Sequence, residues 1–280
     1  MGYPVDSSCK ILHVSKAAYY MWRSGKAGTR WNENHRIADL VEKIYIESPD
    51  KGYRRIRDDL EKYHDTKVND KRVLRICRSL GIKSTIKYSN HGCTKRASDP
   101  QHVAENVLKR NFNADRPDEK WLTDVTEFKY YAGPEVRKLY LSAILDLYDR
   151  RIVAYVVGDS NDCALVYDTF DQAVANNPQA HPLFHSDRGF QYTTDIFHKK
   201  LLKAGMTQSM SRVGKCIDNG PMEGFWGILK RERYYGHRFT SREALLHMID
   251  DYITYYNIHR LQRRLGVLTP MEKHNLYKVA

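Results

Sequence analysis

The stretch of residues 185–233 constrains this chain more than any other, because it places two acidic side chains at the ends of predicted elements. A short apolar run ends on Asp187, which predicts a strand that terminates at this carboxylate. Glu223 follows with 35 residues between the two acids and falls in the first turn of a predicted helix. Strand ends and helix starts are where α/β sheets bind ligands, so we expect the two carboxylates to share a site.

The residues between these two acids predict a helix and a further strand. The segment TTDIFHKKLLKAG predicts a helix that is capped by Thr194 and ends at Gly205. MTQSMS alternates between polar and apolar residues, which favours a strand. Pro221 suits the first turn of the next helix, and Asp218 or Asn219 is expected to cap it.

An upstream strand supplies a third carboxylate. The segment EKWLTDVTEFKYY is rich in aromatic and β-branched residues and carries Asp124 in its middle, where a carboxylate is costly unless it is paired or binds metal. Glu127 lies three residues on and is expected to face the other side of the strand. Three carboxylates without a His or Cys cluster favour Mg or Mn over Zn. Two such ions about 3.5–4 Å apart would suit phosphodiester chemistry.

Four segments carry a resemblance to a known family: WLTDVTEF, YLSAILDLYDRRIVAY, HSDRGFQYT and SMSRVGKCIDNGPMEGFWGILKRE. They resemble the catalytic core of DDE transposases, and more narrowly the OrfB product of bacterial insertion sequences of family three, relatives of retroviral integrases. The resemblance implies that Asp124, Asp187 and Glu223 are the catalytic and metal-binding triad, and that Lys230 is its accompanying basic residue. The spacing also places Lys230 two helical turns beyond Glu223, on the same face.

The resemblance and the pattern of elements imply the same fold class. The order βββ-α-β-α-β-α predicts an RNase H-like α/β core with a mixed five-stranded sheet, preceded by a small all-α domain that resembles a helix-turn-helix. The function implied is Mg-dependent cleavage and strand transfer of insertion-sequence ends. Two alternatives are an RNase H-like nuclease that does not join strands and a transposase-derived DNA-binding regulator.

The charge distribution predicts a DNA partner. Lys and Arg number 46 against 34 Asp and Glu, which gives a net charge of +12, and residues 1–110 carry +10 of it. A strong basic excess favours a polyanionic partner. Four basic residues are predicted to line the exposed side of the second helix of the helix-turn-helix, and two more follow Glu223: Lys71, Arg72, Arg75, Arg78, Lys230 and Arg231. A solvated basic face without a DNA role is the alternative for the first four.

Five segments are predicted. Residues 1–35 are an irregular segment that looks like the junction region of an OrfAB fusion, with a poorly ordered terminus as the alternative. Residues 36–82 form the helical domain, which Asn69 helps to define as a helix cap and Gly81 as a helix end. Residues 83–118 form a basic linker, residues 119–240 the catalytic core and residues 241–280 a C-terminal helical extension. The resemblance also implies an OrfA partner and a homo-oligomer on DNA.

The remaining composition narrows the class of protein. The five cysteines are odd in number and include no C-x-x-C pair, which indicates a reducing cytoplasm. The family resemblance implies that this is the bacterial cytoplasm, with the protein at the nucleoid. No apolar run approaches the length of a membrane span. The spacing of His91, Cys93 and His102 fits no standard zinc finger, so a loop is predicted there.

Two further groups of charged residues carry predictions. Packing on the core and contact with DNA are equally favoured for Arg260, Arg263 and Arg264. Asp146 and Asp149 are expected to be turn and edge acids.

Overall fold

The computed structural model describes residues 4–24, 29–86, 101–213 and 215–279, which form two compact units, residues 1–85 and 86–280. His91, Cys93 and much of the predicted linker lie outside the described residues. No helix in the described part of the chain is long and apolar enough to cross a membrane.

The first unit is helical. Its described helices are α1 (Val5–Ile11), α2 (Lys16–Arg23), α3 (Thr29–Glu47), α4 (Tyr53–Tyr63) and α5 (Asp70–Ser79). Apolar residues at helical spacing on α3, α4 and α5 pack into one core: Ile37, Val41, Ile44, Ile56, Leu60, Val73, Ile76 and Cys77. One apolar stripe on each of the three helices is enough for this core, because the three stripes face one another and exclude water together.

Helix α5 begins and ends where the sequence predicts. The side chain of Asn69 accepts a hydrogen bond from the backbone N–H of Arg72 at 2.8 Å, which confirms it as the N-cap. At the other end Gly81 has a φ of 69°, and the N–H of Ile82 donates to the carbonyl of Cys77 at 2.8 Å. Leu80 is exposed, and the left-handed turn at Gly81 directs Ile82 onto the core in its place.

Replacing Asn69 with Ala is expected to lower the unfolding free energy of the helical unit by about 1 kcal/mol, because one backbone N–H of α5 loses its acceptor. Asn69→Ser keeps an acceptor at the cap and serves as the control. Urea denaturation of the two variants checks this, and equal midpoints for Ala and Ser would show that the cap contributes nothing.

The second unit contains a five-stranded mixed sheet, as predicted. Its strands are β1 (Lys120–Ala132), β2 (Glu135–Asp146), β3 (Ile152–Gly158), β4 (Leu183–Ser186) and β5 (Thr207–Met210), in the spatial order β3-β2-β1-β4-β5. The first three form an antiparallel meander, whereas β4 runs parallel to β1 and β5 runs parallel to β4. The described helices are α6 (Cys163–Asn176), α7 (Asp195–Lys203), α8 (Gly220–Leu229), α9 (Arg242–Ile258) and α10 (Pro270–Val279).

Both faces of the sheet are buried under helices. Alternate residues of β1 point to opposite faces, so Leu122 and Phe128 pack with residues of α8 and α9, whereas Trp121 packs with residues of α6 and α7. The result is a three-layer α/β/α unit. This arrangement and the helical first unit confirm the predicted fold class, an RNase H-like core preceded by a helix-turn-helix-like region.

The acids predicted at the turn after β2 are buried and hydrogen-bonded. Asp146 accepts from the N–H of Asp118 at 2.6 Å and from the N–H of Tyr148 at 2.7 Å. Asp149 contacts Nδ1 of His274 at 2.7 Å, which fastens α10 to this turn. Asp146 pairs with Trp121 at the start of β1, three residues before Asp124. The role of Asp146 and Asp149 is structural.

Candidate active site

Asp124 and Asp187 come together where the parallel ladder between β1 and β4 ends. β4 pairs with β1 only along Lys120–Leu122, so Asp124 lies two residues beyond that ladder, where this edge of β1 is open. Asp187 follows the last residue of β4 directly. Since β1 and β4 run parallel, the two carboxylates lie at the same end of their shared ladder, and the carboxylate of Asp187 raises the pKa of Asp124.

Burial and like charge act together on Asp124. Its carboxyl lies beneath α8, where Oδ2 accepts a hydrogen bond from Nε1 of Trp226 at 3.0 Å. Burial, together with the neighbouring carboxylates of Asp187 and Glu223, raises the pKa of Asp124 to about 8. Three mutually repelling carboxylates are the electrostatic condition that a bound cation relieves.

The loop after β4 fixes the carboxylate of Asp187. The backbone N–H of Gly189 donates to Oδ1 of Asp187 at 2.8 Å. Burial raises the pKa of Asp187, although this hydrogen bond opposes the shift. The neighbouring His185 is fully buried between the hydroxyls of Ser209 and Ser211, at 2.8 and 3.1 Å. Burial lowers the pKa of His185 to about 4, so this histidine is neutral and joins β4 to the strand beside it.

Glu223 lies in the first turn of α8, as predicted, but the two residues expected to cap that helix act elsewhere. The buried carboxylate of Asp218 accepts from Nε of Arg110 at 2.6 Å and from Nε of Arg212 at 2.9 Å. Nδ2 of Asn219 donates to the carbonyl of Thr123 at 3.0 Å, directly beside Asp124. The bond from Asn219 fixes the start of α8 against β1, and Asp218 joins the same segment to Arg110, which precedes β1. A DNG sequence before a helix indicates a side-chain cap. Only the packed structure shows that Asp218 and Asn219 bond other residues instead.

The donor set fits a hard divalent cation. Among the residues that the structure describes, no three His, Cys, Asp or Glu side chains lie close enough together to bind one metal ion. Asp124 and Asp187 are half-buried and adjacent, whereas Glu223 is exposed and interacts with Asp124 at longer range. Carboxylate oxygens are the ligands that Mg and Mn prefer, and a change of rotamer at the exposed Glu223 is inexpensive.

The two basic residues beyond Glu223 lie at the end of α8. Nζ of Lys230 lies 5.0 Å from the ring centre of Phe128, and burial lowers the pKa of this lysine while Glu127 and Asp124 oppose that change. The helix widens into a π-turn over residues 230–234. The guanidinium of Arg231 lies against Gly227, where an added Cβ would meet it at 3.1 Å. Lys230 is thus electrostatically linked to Asp124 and Glu127.

The four basic residues predicted on α5 have different surroundings. Lys71, Arg75 and Arg78 are exposed, in keeping with the predicted basic face. Arg72 is half-buried, and its guanidinium bonds both carboxylate oxygens of Glu33, at 3.1 and 2.8 Å. This bidentate pair joins α5 to α3, which sequence periodicity does not reveal.

The C-terminal arginines also differ from one another. Arg260 is buried and pairs with the carboxylate of Glu232 at 2.8 Å, while the hydroxyl of Tyr252 donates to the same carboxylate at 3.0 Å. For Arg260 the structure therefore favours packing on the core. The exposed Arg264 donates to the carbonyl of Phe112 at 3.3 Å.

Comparison with known proteins identifies the class. Residues 114–216 and 223–276 match the integrase core domain, and residues 32–89 match an HTH-like domain. The HTLV-2 integrase catalytic core domain, solved in complex with magnesium, aligns with 58% of this chain and 99% of its own at 16% identity and a TM-score of 0.44. The fold and the family matches define a polynucleotidyl transferase of the integrase class, a metal-dependent class that acts on DNA.

Individual relatives narrow the class to one family. The putative transposase InsK for insertion sequence element IS150 of Escherichia coli (strain K12) is 34% identical over 98% of this chain and 94% of its own length. An uncharacterized transposase-like protein of Haemophilus influenzae is 42% identical over 73% of this chain and 92% of its own. The transposase InsF for IS3A of E. coli is 27% identical over 98% of this chain. The chain belongs to the insertion-sequence transposases of family three, as an OrfB-type DNA transposase.

Gly189→Ala is expected to reduce divalent-metal binding and catalysis and to lower the melting temperature. A Cβ at this position would lie 3.0 Å from Oδ1 of Asp187 and 3.0 Å from Oε1 of the buried Gln191, so these side chains must shift. Gly224→Ala is the matched control, because a Cβ there meets nothing within 4 Å although it lies beside Glu223. Mn²⁺ titration and thermal unfolding of both variants check this. Equal Mn²⁺ affinity in the two variants would contradict the expectation.

Proposed function

We propose that Asp124, Asp187 and Glu223 form the DDE triad of this transposase and bind two Mg or Mn ions. The observation that carries the proposal is the convergence of Asp124, just beyond the ladder between β1 and β4, and Asp187, at the end of β4, under a helix whose first turn presents Glu223. When bound, the ions would activate the attacking water or 3′-hydroxyl and stabilise the leaving oxygen. The protein holds the carboxylates in place through Gly189 and Trp226 and excludes bulk water from Asp124.

Two basic regions serve the DNA in this proposal. Lys230 is linked to the carboxylates by charge and is aimed at a phosphate near the reacting strand, and Arg231 beside it extends that region. The exposed face of α5, with Lys71, Arg75 and Arg78, supplies phosphate contacts that add affinity independent of sequence. Arg72 belongs to the same helix, and its pairing with Glu33 makes it a residue that orients α5.

Membership of this family also suggests the protein partners of the chain. The chain acts with an OrfA partner or as part of an OrfAB fusion, and as a homo-oligomer on DNA that synapses two element ends. Its place of action is the nucleoid of the bacterial cytoplasm. A nuclease without strand transfer is not favoured, because the relatives that cover nearly the whole chain are transposases.

The test is an assay of the purified chain on its own element's end DNA in Mg²⁺, with and without OrfA. Labelled end DNA should yield a nick at the element boundary and then a joined product of altered length. Nicking that never proceeds to joining, in the presence of OrfA and target DNA, would replace the transposase proposal with the nuclease alternative. Binding without any cleavage would support the regulator alternative.

A further inference from the structure

Trp226 makes a contact with the active site that packing alone does not require. Its indole is buried, and its only polar atom, Nε1, donates to Oδ2 of Asp124 at 3.0 Å. An indole N–H is a donor and never an acceptor, so its buried partner must be an acceptor, and here that acceptor is a carboxylate oxygen. A hydrogen bond to a charged acceptor is stronger and more directional than a neutral one.

The position of Trp226 on α8 couples two of the proposed ligands. It lies three residues after Glu223, which is one helical turn, so a single helix carries both the third carboxylate and the donor that holds the first. The neighbouring Phe225 packs edge-on against Tyr256 with ring centres 4.8 Å apart, which holds this helix against α9. Because Trp226 is itself buried on this fixed helix, its side chain has little rotational freedom. The carboxylate oxygen that it contacts is restrained in the same way.

We propose that Trp226 is a positioning residue for Asp124: its indole N–H holds one carboxylate oxygen so that the group is oriented for the divalent cation. This inference rests on the proposed function, because it assumes that Asp124 binds the ion. Donors in the outer shell of a metal site fix the orientation of the ligand, and their loss typically weakens metal affinity by about 10- to 100-fold.

The chain contains its own matched control in Trp121. This second buried indole also donates to carboxylates, to Asp118 at 3.1 Å and to Asp146 at 3.2 Å, but it lies on the other face of β1 from Asp124, among residues of α6 and α7. Trp→Phe at either position removes one indole N–H and part of one buried ring. Both variants should therefore lower the melting temperature, and only one of them should change the metal site.

The experiment measures Mn²⁺ binding to the full chain by calorimetry, together with the melting temperature of each variant without metal. Trp226→Phe should bind Mn²⁺ about 10- to 100-fold more weakly than the wild type, whereas Trp121→Phe should bind it equally well. If Trp226→Phe and the wild type bind Mn²⁺ with the same affinity, Trp226 only packs and the inference is wrong.

Two further variants keep the outcomes separate. Asp187→Asn reports on the proposed metal site itself: if it binds Mn²⁺ as the wild type does, the proposed function fails whatever Trp226 does. Should Trp226→Phe not fold, a benzothienylalanine at position 226 replaces the N–H with sulfur in a ring of nearly the same shape. The same loss of Mn²⁺ affinity in that variant supports the inference, and unchanged affinity overturns it.

Discussion

Asp187→Asn is expected to abolish end cleavage and strand transfer while leaving DNA binding intact. Asn preserves the shape of the side chain and one oxygen, but it removes the negative charge that a divalent cation requires. The loss should exceed about 100-fold, the upper end of what removal of an outer-shell partner costs. Asp124→Asn should behave in the same way, because both carboxylates meet at the open edge of β1.

The measurement is a time course of nicked and joined products in Mg²⁺, with a filter-binding assay of the same DNA. Asp195→Asn is the matched control, since this exposed residue lies in the first turn of α7 and the substitution removes the same charge. Cleavage by Asp187→Asn at the rate of the Asp195→Asn control would exclude Asp187 from the metal site. A parallel loss of DNA binding would show that the substitution disturbs more than the chemistry.

The double substitution Arg75→Ala and Arg78→Ala is expected to weaken duplex DNA binding and to flatten its dependence on salt. Each phosphate contact releases condensed counterions, so the logarithmic salt slope should fall by about one unit per contact. If a lost contact has no effect on affinity at 1 M salt, the same relation gives a loss of about eightfold per contact at 0.1 M salt. The loss for the pair is then up to about 60-fold. Mg-dependent chemistry at saturating DNA should be unchanged, because these arginines are on the helical unit and the carboxylates are on the other.

The control for this pair removes the same charge elsewhere. Lys199→Ala with Lys203→Ala takes two exposed positive charges from α7, on the second unit. Titrations of labelled duplex at several salt concentrations give the slope for each variant. If both pairs lower the slope equally, the helical unit has no special role in DNA binding and the basic face of α5 is only solvated.

Local sequence determined much of the secondary structure. The caps at Asn69 and Thr194 and the helix ends at Gly81 and Gly205 follow the sequence, because each depends on a few neighbouring residues. The order of strands and helices also followed from periodicity, since apolar spacing of two or of 3.6 residues distinguishes them. The position of Glu223 in the first turn of a helix follows from the same short-range signals.

The partners of the polar side chains were decided by the tertiary structure. Asp218 and Asn219 were expected to cap α8, but they bond Arg110 and Thr123, which lie about a hundred residues earlier in the chain. The bonds from Arg72 to Glu33 and from Trp226 to Asp124 also join residues that are far apart in the sequence. A cap or a turn is fixed by backbone geometry within one stretch of chain. A buried donor takes whichever acceptor the packed layers bring within 3 Å, and no local pattern encodes that choice.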